Sequence, residues 1–423
     1  MFVALALFLT TYALLLAFPR HRAYIAMAAA ALFVLLGILP YRKVFFAINW
    51  NVILMIAGTM GTVSLFIASK MPSLLADLII ARMPSVKWAI ISLALFAGII
   101  SAFVDNVATV LMVAPVALTI CEKLGISPVT SIIAIAISSN LQGAATLVGD
   151  TTSILLGGCA GMDFLDFFVY RGRPGLFWVV QFGAIVSALV LLWVFRKEGQ
   201  SIDVKDRTEV ENYFPTALLL GTILLLILAS FIPEEKKPEI TNGLICTGLM
   251  LIGVIYETLR SRSLEPLKRT LAEIDYFTLL LLSGIFIMVA GITEAGVVNA
   301  ISELFVRVSG NNLFLMYTLI VWASVLASAF IDNIPYVATM LPVTQGIAGL
   351  MGVDPTILYF GLLVGATLGG NLTPIGASAN ITGIGILRSR GYEVSTGQFM
   401  KISVPFTLAA VTSGYVLVWF IWA

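Results

Sequence analysis

Val104-Asp105-Asn106-Val107-Ala108-Thr109 and Ile331-Asp332-Asn333-Ile334-Pro335-Tyr336 each set a carboxylate and an amide between long apolar runs. The flanking runs, Trp88 to Val104 and Val107 to Ile120 in one case, Leu313 to Ile331 and Ile334 to Leu350 in the other, are too apolar to rest in water. Each Asp-Asn pair therefore reads as the tip between two half-helices. The expected elements are two re-entrant hairpins, at 88–120 and 313–350.

Composition fixes the setting of those hairpins. With 60% hydrophobic and 11% charged residues and a mean hydropathy of +1.03, the chain cannot hide its apolar surface by folding on itself. Its continuous apolar runs approach the roughly 20 residues that cross a bilayer as a helix, and backbone groups in lipid must be satisfied internally. An all-α polytopic membrane protein follows. A net charge of +1 without basic tracts gives no reason to expect nucleic acid as a partner. Cys121, Cys159 and Cys246 lie far apart and read as packing residues. His21 is the only histidine and sits in a basic turn, which excludes a histidine-based metal site or proton relay.

Taken in order, spans are expected at 2–18, 23–39 and 48–69, with Arg20 and Arg22 in the first turn and Arg42 and Lys43 in the second. Met1 leads straight into the first span, so no removable signal peptide is expected. The mixed segment 70–87 suits a helix lying at the membrane interface. After hairpin 88–120, the run 129–160 is too long for one span and is interrupted around Asn140, Gly143, Thr146, Gly149 and Asp150, which reads as a broken helix. A span at 176–195 ends the first half, 1–195, and a hydrophilic linker occupies 196–212. The second half, 213–423, supplies spans 213–232, 240–259 and 275–295, hairpin 313–350, broken helix 355–388 and a last span, 402–422.

The halves form a repeat at an offset of 227, which carries Asp105 to Asp332, Asn106 to Asn333, Pro115 to Pro342, Gly143 to Gly370, Thr146 to Thr373 and Gly149 to Gly376. Five crossings per half is an odd number, so the second half enters upside down. Inverted repeats with discontinuous helices are the architecture in which secondary transporters hold substrate and ions near the midplane. Of 24 Lys and Arg, only Arg42, Lys43, Arg171, Arg173, Lys236, Lys237 and Arg307 fall outside when both termini are external. The positive-inside rule selects that orientation and makes hairpin one cytoplasmic. The two tips should then meet near the membrane centre, while Glu294, Asp163 and Asp166 fall at helix ends and external loops, where neutralisation should spare transport.

The plainer role for Asp105 and Asp332 is N-capping, with Pro335 suited to a first turn. A carboxylate at depth nevertheless costs at least about 2.5–3.5 kcal/mol, which a capping Ser or Asn would largely avoid. Aspartate at both tips therefore points to a bound cation or proton, with sodium a candidate at the Asp105 and Asp332 tips. Unwound backbone with Asn140, Thr109, Thr146, Thr373, Asn371, Ser378 and Asn380 offers the oxygen ligands a hard cation takes. Gly143, Gly149, Gly369, Gly370 and Gly376 mark the backbone breaks, with close helix packing as the alternative reading. Asp150 faces Ala377 across the repeat. This single carboxylate is the candidate for proton exchange, helix capping being the alternative.

These motifs, with Ala145-Thr146-Leu-Val-Gly149-Asp150 and Gly369-Gly370-Asn371-Leu-Thr373-Pro374-Ile-Gly376-Ala-Ser378-Ala-Asn380, resemble the signatures of the ion transporter superfamily. The nearest branch is the one holding arsenite permeases, NhaD-type sodium/proton antiporters and the melanosomal P protein. The divalent anion/sodium symporters are more distant. The resemblance covers nearly the whole chain. It implies that tips and broken helices form the substrate and ion sites, and that a homodimer works by an elevator motion. Two departures stand out: Asp150-Thr151-Thr152-Ser153 where the branch often has Asp-Pro-Pro-Asn, and Asp105-Asn106-Val107 and Asp332-Asn333-Ile334 where the symporters carry Ser-Asn-Thr. The second departure weakens a dianion as substrate.

No nucleotide-binding loop or catalytic constellation is present, so the expectation is a secondary active transporter of the plasma membrane. It is not expected to be an enzyme or to need a cofactor beyond a coupling sodium or proton. An antiporter for arsenite, antimonite or sodium leads. A sodium-coupled citrate or dicarboxylate transporter is the alternative, and a passive channel is disfavoured by the paired broken helices. Scattered cysteines offer no thiolate site, so arsenite would be recognised as a neutral hydroxide.

Overall fold

Backbone donors and acceptors without water must pair within the segment, and the structure is helical nearly throughout. It is a computed structural model describing residues 1–200, 208–210 and 212–423. In the first half run α1 (Phe2–Ala17), α2 (Arg22–Leu35), α3 (Val44–Ala47), α4 (Trp50–Ala68), α5 (Met71–Ile80), α6 (Val86–Ser101), α7 (Asn106–Leu124), α8 (Val129–Gly143), α9 (Thr151–Ala160) and α10 (Leu176–Val194). The second half has α11 (Phe214–Ala229), α12 (Thr241–Ser261), α13 (Glu265–Glu273), α14 (Tyr276–Glu294), α15 (Val297–Ser309), α16 (Leu313–Ser328) and α17 (Asn333–Met351). It continues with α18 (Thr356–Leu363), a π turn at Val364–Leu368, a 3-10 turn at Gly370–Leu372, α19 (Ser378–Ser389) and α20 (Thr396–Trp422).

Among the described residues, seven helices, α4, α7, α10, α12, α14, α17 and α20, are long and apolar enough to cross a bilayer. Two of them, α7 and α17, are hairpin arms, so length alone does not make an arm re-entrant; the placement of the tips matters more. Three features depart from the sequence reading. Helices α13 and α15 are short surface helices that it passed over, and α1 meets α2 at a bend of 114° rather than as a plain pair of spans. The loop after α9 closes in a two-residue ladder, β1 (Val169–Tyr170) against β2 (Arg173–Pro174). The expected linker lies partly outside the described residues, as do Lys205, Arg207 and Glu211.

Hairpin and break geometry recurs at the offset of 227. The arms α6 and α16, and α7 and α17, begin and end at matching positions. Gly125 and Gly352 close α7 and α17 with φ of +64° and +66°, a left-handed cap that suits a residue without Cβ. Thr146 Oγ1 donates to the Ala102 carbonyl, and its counterpart Thr373 Oγ1 to the Ala329 carbonyl. Each hairpin turn is thus tied to the break behind it. Before α5 the packing is between halves: α2 lies on α14 with Ala26 at Gly284 and Phe33 at Gly291, and α12 lies on α4 with Cys246 at Gly58 and Met250 at Gly61. Small residues let these backbones approach closely, as membrane interfaces require.

The outlying acids divide. Glu294 pairs with Lys43 at 2.8 Å, both half exposed, and Glu294→Gln should change stability by no more than about 0.5 kcal/mol. Asp163 is better enclosed: it pairs with Lys237, accepts from Asn242 at 3.3 Å, and its own N–H donates to Asp166 at 2.6 Å. Asp163→Asn should therefore cost about 1–3 kcal/mol of stability, read as a lower melting temperature, while uptake per folded molecule stays normal. Loss of uptake at unchanged melting temperature would overturn this structural assignment.

Candidate ion site between the hairpin tips

Both tips reach one cavity of about 180 Å³. Asp105, Asn106 and Val107 line it from the first hairpin, and Asn333 and Ile334 from the second. Asp150 and Thr151 from the break before α9, Ser378 at the start of α19, the Met60–Ile67 stretch of α4, and Glu273, Asp275 and Thr278 around the start of α14 complete the wall. Among the described residues, four carboxylates and no lysine or arginine line it. Such a wall gives the cavity a negative potential that concentrates cations and repels anions.

The tips exist because aspartate begins a helix well. Asp105 Oδ1 accepts from Val107 N at 3.0 Å and Ala108 N at 3.2 Å, and Asp332 Oδ1 from Ile334 N at 3.1 Å. Asp150 does the same for α9: Oδ1 accepts from Thr151 N at 2.7 Å and Oδ2 from Thr152 Oγ1 at 2.9 Å. Capping occupies one oxygen of Asp105, so its other oxygen can turn to the cavity. Asp150 lies within electrostatic reach of Asp105 and Asp332, and Asp105 within reach of Asp275.

Of the twelve side chains expected at the site, Asp105, Asn106, Asp150, Asn333 and Ser378 line the cavity. Asp332 lies just behind it, 7% exposed and in contact with Ser378 at 3.4 Å. The others hold the frame. Asn106 Nδ2 donates to Asn140 Oδ1 at 3.1 Å, Asn140 Nδ2 to Asn371 Oδ1 at 3.1 Å and to the Thr367 carbonyl at 2.8 Å, and Asn371 Nδ2 to the Ile137 carbonyl at 2.9 Å. This buried amide chain joins the first tip to both broken helices. Thr146 and Thr373, expected as oxygen ligands, instead clamp the turns, and Thr109 Oγ1 weakly donates to the Val104 carbonyl at 3.4 Å. Asn380 Nδ2 spans the carbonyls of Gly370 and Thr373, both at 3.3 Å. Gly149, Gly370 and Gly376 stand where the chain doubles back on carbonyl oxygens, Gly143 lies against the Asp150 side chain, and Gly369 packs on Val325. Asn333 Nδ2 is buried without a partner at the cavity wall. Among the described residues no three His, Cys, Asp or Glu side chains group as metal ligands, so the acids are spread around the wall.

Sequence reading missed Glu273, Asp275 and Arg22. Asp275 looks like an ordinary helix start, capping α14 through Thr278 N at 3.0 Å, and Glu273 ends α13. Arg22, counted among the basic residues of the first turn, pairs with the second tip, its Nη1 2.9 Å from Asp332 Oδ2.

A protein-family model described as citrate transporter matches residues 12–365, most of the chain. The chain belongs to the citrate transporter family. An uncharacterized transporter of Mycobacterium tuberculosis is 33% identical over 99% of this chain and 98% of its own length. The P protein of Homo sapiens is 28% identical over 98% of this chain and 59% of its own length. Among solved structures, the YdaH transporter of Alcanivorax borkumensis, described as having an unusual topology, superposes with a TM-score of 0.62 over 89% of this chain and 86% of its own. At 15% identity that likeness concerns fold alone. This member of the citrate transporter family is a multi-span membrane transporter.

Proposed function

We propose that this transporter is an ion-coupled antiporter, exchanging sodium or protons against a small solute such as arsenite, antimonite or sodium itself. The acidic cavity carries the reading. Its volume of about 180 Å³ falls below the roughly 300–1,000 Å³ usual for organic ligands. Its four carboxylates, with no basic side chain among the described lining residues, suit a cation or a small neutral hydroxide, and oppose a polyanion. Asp105 is the cation ligand in this reading and Asp150 the proton-exchanging group. The two halves are inverted repeats, the protein works as a plasma-membrane homodimer by an elevator motion, and the cavity opens to the cytoplasm at the start of α14.

A sodium-coupled citrate or dicarboxylate transporter is the second reading. It draws on the family's description and on Arg22, whose guanidinium is paired beside the second tip. Proteoliposomes with separately imposed sodium, proton and solute gradients divide the readings. Solute-independent sodium/proton exchange, or arsenite movement driven by a proton gradient, supports the antiporter. Sodium-dependent citrate accumulation without proton exchange would replace it. In the same assay, Asp150→Asn should flatten the pH dependence of transport more than it weakens solute binding. An unchanged pH profile would return Asp150 to a purely capping role.

A further inference from the structure

The two tips match in sequence but not in company. Among the described residues Asp105 forms no ion pair, whereas Asp332 pairs with Arg22 at 2.9 Å, with side-chain exposures of 18% for Arg22 and 9% for Asp332. Arg22 belongs to neither hairpin. It opens α2, which rides on α14 at one constant register, Ala26 at Gly284 and Phe33 at Gly291, and that register sets Arg22 level with Leu280. Arg22 therefore sits about one helical turn deeper than Asp275, on the cavity side of the molecule. Its neighbour α1 also grips the second hairpin, because Tyr12 donates to the Pro335 carbonyl at 2.8 Å and contacts Thr339 Oγ1. At that tip Asp332 Oδ2 also accepts from Ser378 Oγ at 3.4 Å, and the backbone cap uses only Oδ1, so Oδ2 is the oxygen a cation would share.

We propose that Arg22 is a tethered cation, whose guanidinium occupies a cation site at Asp332 and must be displaced before a free ion can bind there. A carboxylate this enclosed needs a counter-charge, and breaking such a pair by removing one partner leaves the other uncompensated. A guanidinium on a fixed helix meets that need when no ion is present. An arriving monovalent cation would take the same oxygen and release α2 from the second hairpin. The device makes the two tips unequal: the first is always open to ions, and the second only in exchange for Arg22. This inference rests on the cation reading of the cavity.

The test titrates sodium, at constant ionic strength, against the full-length protein in lipid nanodiscs, reading melting temperature and intrinsic tryptophan fluorescence. Arg22→Gln is expected to lower the half-saturating sodium concentration at least tenfold, and Arg22→Lys, which keeps charge without the planar fork, by less. In an Asp332→Asn background the Arg22→Gln change should shift the midpoint far less, since no carboxylate remains to be freed. An unchanged or raised midpoint in Arg22→Gln, or equal shifts in both backgrounds, overturns the proposal. Should Arg22→Gln not fold, an unchanged midpoint in Arg22→Lys overturns it equally. Asp105→Asn keeps the two ideas apart. A sodium response lost in that variant but indifferent to Arg22 retains the cation reading and rejects the tether, while no response in any protein rejects both.

Discussion

Asp105→Asn is expected to fold, insert and melt within a few degrees of the parent, yet lose ion-driven uptake by roughly 100-fold or more. Asparagine caps a helix about as well as aspartate, and its amide oxygen can accept the same bonds from Val107 N and Ala108 N. Only the charge goes. A carboxylate about 4 Å from a monovalent cation is worth about 4 kcal/mol at an effective dielectric near 20, and each 1.4 kcal/mol is tenfold in affinity. Among the described residues no basic side chain stands in the cavity wall to be left unpaired, so the variant creates no new buried charge there. Initial rates of sodium and proton flux in proteoliposomes, beside a melting curve of the same preparation, check this. Normal coupled uptake would make Asp105 a cap and remove the coupling site from the first tip.

Much of this machinery was legible because its signals contrast with their background. An Asp-Asn pair, a Gly or a Pro within an apolar run is conspicuous, so the tips fell at Asp105 and Asp332, and both breaks were found where α8 gives way to α9 and α18 to α19. The offset of 227 held from α6 through the breaks for the same reason. The pairing of Arg22 was not seen because a basic residue beside Pro19 and His21 looks like any turn residue, and the positive-inside count treats every such residue alike. Its partner lies 310 residues away, and no local pattern encodes that distance. Asp275 was hidden by the opposite problem, since acids at a helix start are the default, and Glu273 ends α13, a helix passed over in the sequence. Helices α13 and α15 escaped because amphipathic segments of 9 and 13 residues carry too little apolar length to register beside true spans. The amide chain through Asn140 and Asn371 was half visible. The residues were named as ligands, but whether a buried amide faces an ion or another amide depends on the crossing of two helices that sequence periodicity does not fix.

Gly149→Ala and Gly376→Ala are expected to be strongly damaging single-methyl changes at the two breaks behind the tips. A Cβ at position 149 would lie 2.5 Å from the Gly143 carbonyl oxygen and 2.8 Å from those of Ala102 and Ser101. At 376 it would meet the Gly370 oxygen at 2.5 Å, Ser328 at 2.6 Å and Ala329 at 3.0 Å. All six obstacles are backbone, so no rotamer change relieves them. The Ala102 and Ala329 carbonyls are also the acceptors of Thr146 and Thr373, and pushing them away breaks the clamp between turn and break. Overpacking a tight site typically costs 1–3 kcal/mol, and a lost buried hydrogen bond adds about 1–3 more. Each variant should therefore lose on the order of 3 kcal/mol, seen as a large drop in melting temperature and in monodisperse yield. Gly221 and Gly248 supply the control. They lie inside α11 and α12 with nothing within 4 Å of a built Cβ, so alanine there should be neutral or stabilise by up to about 1 kcal/mol. If Gly376→Ala melts with the parent, the break behind the second tip yields easily, and the rigid frame that aims Asp332 at Arg22 and Ser378 is not rigid.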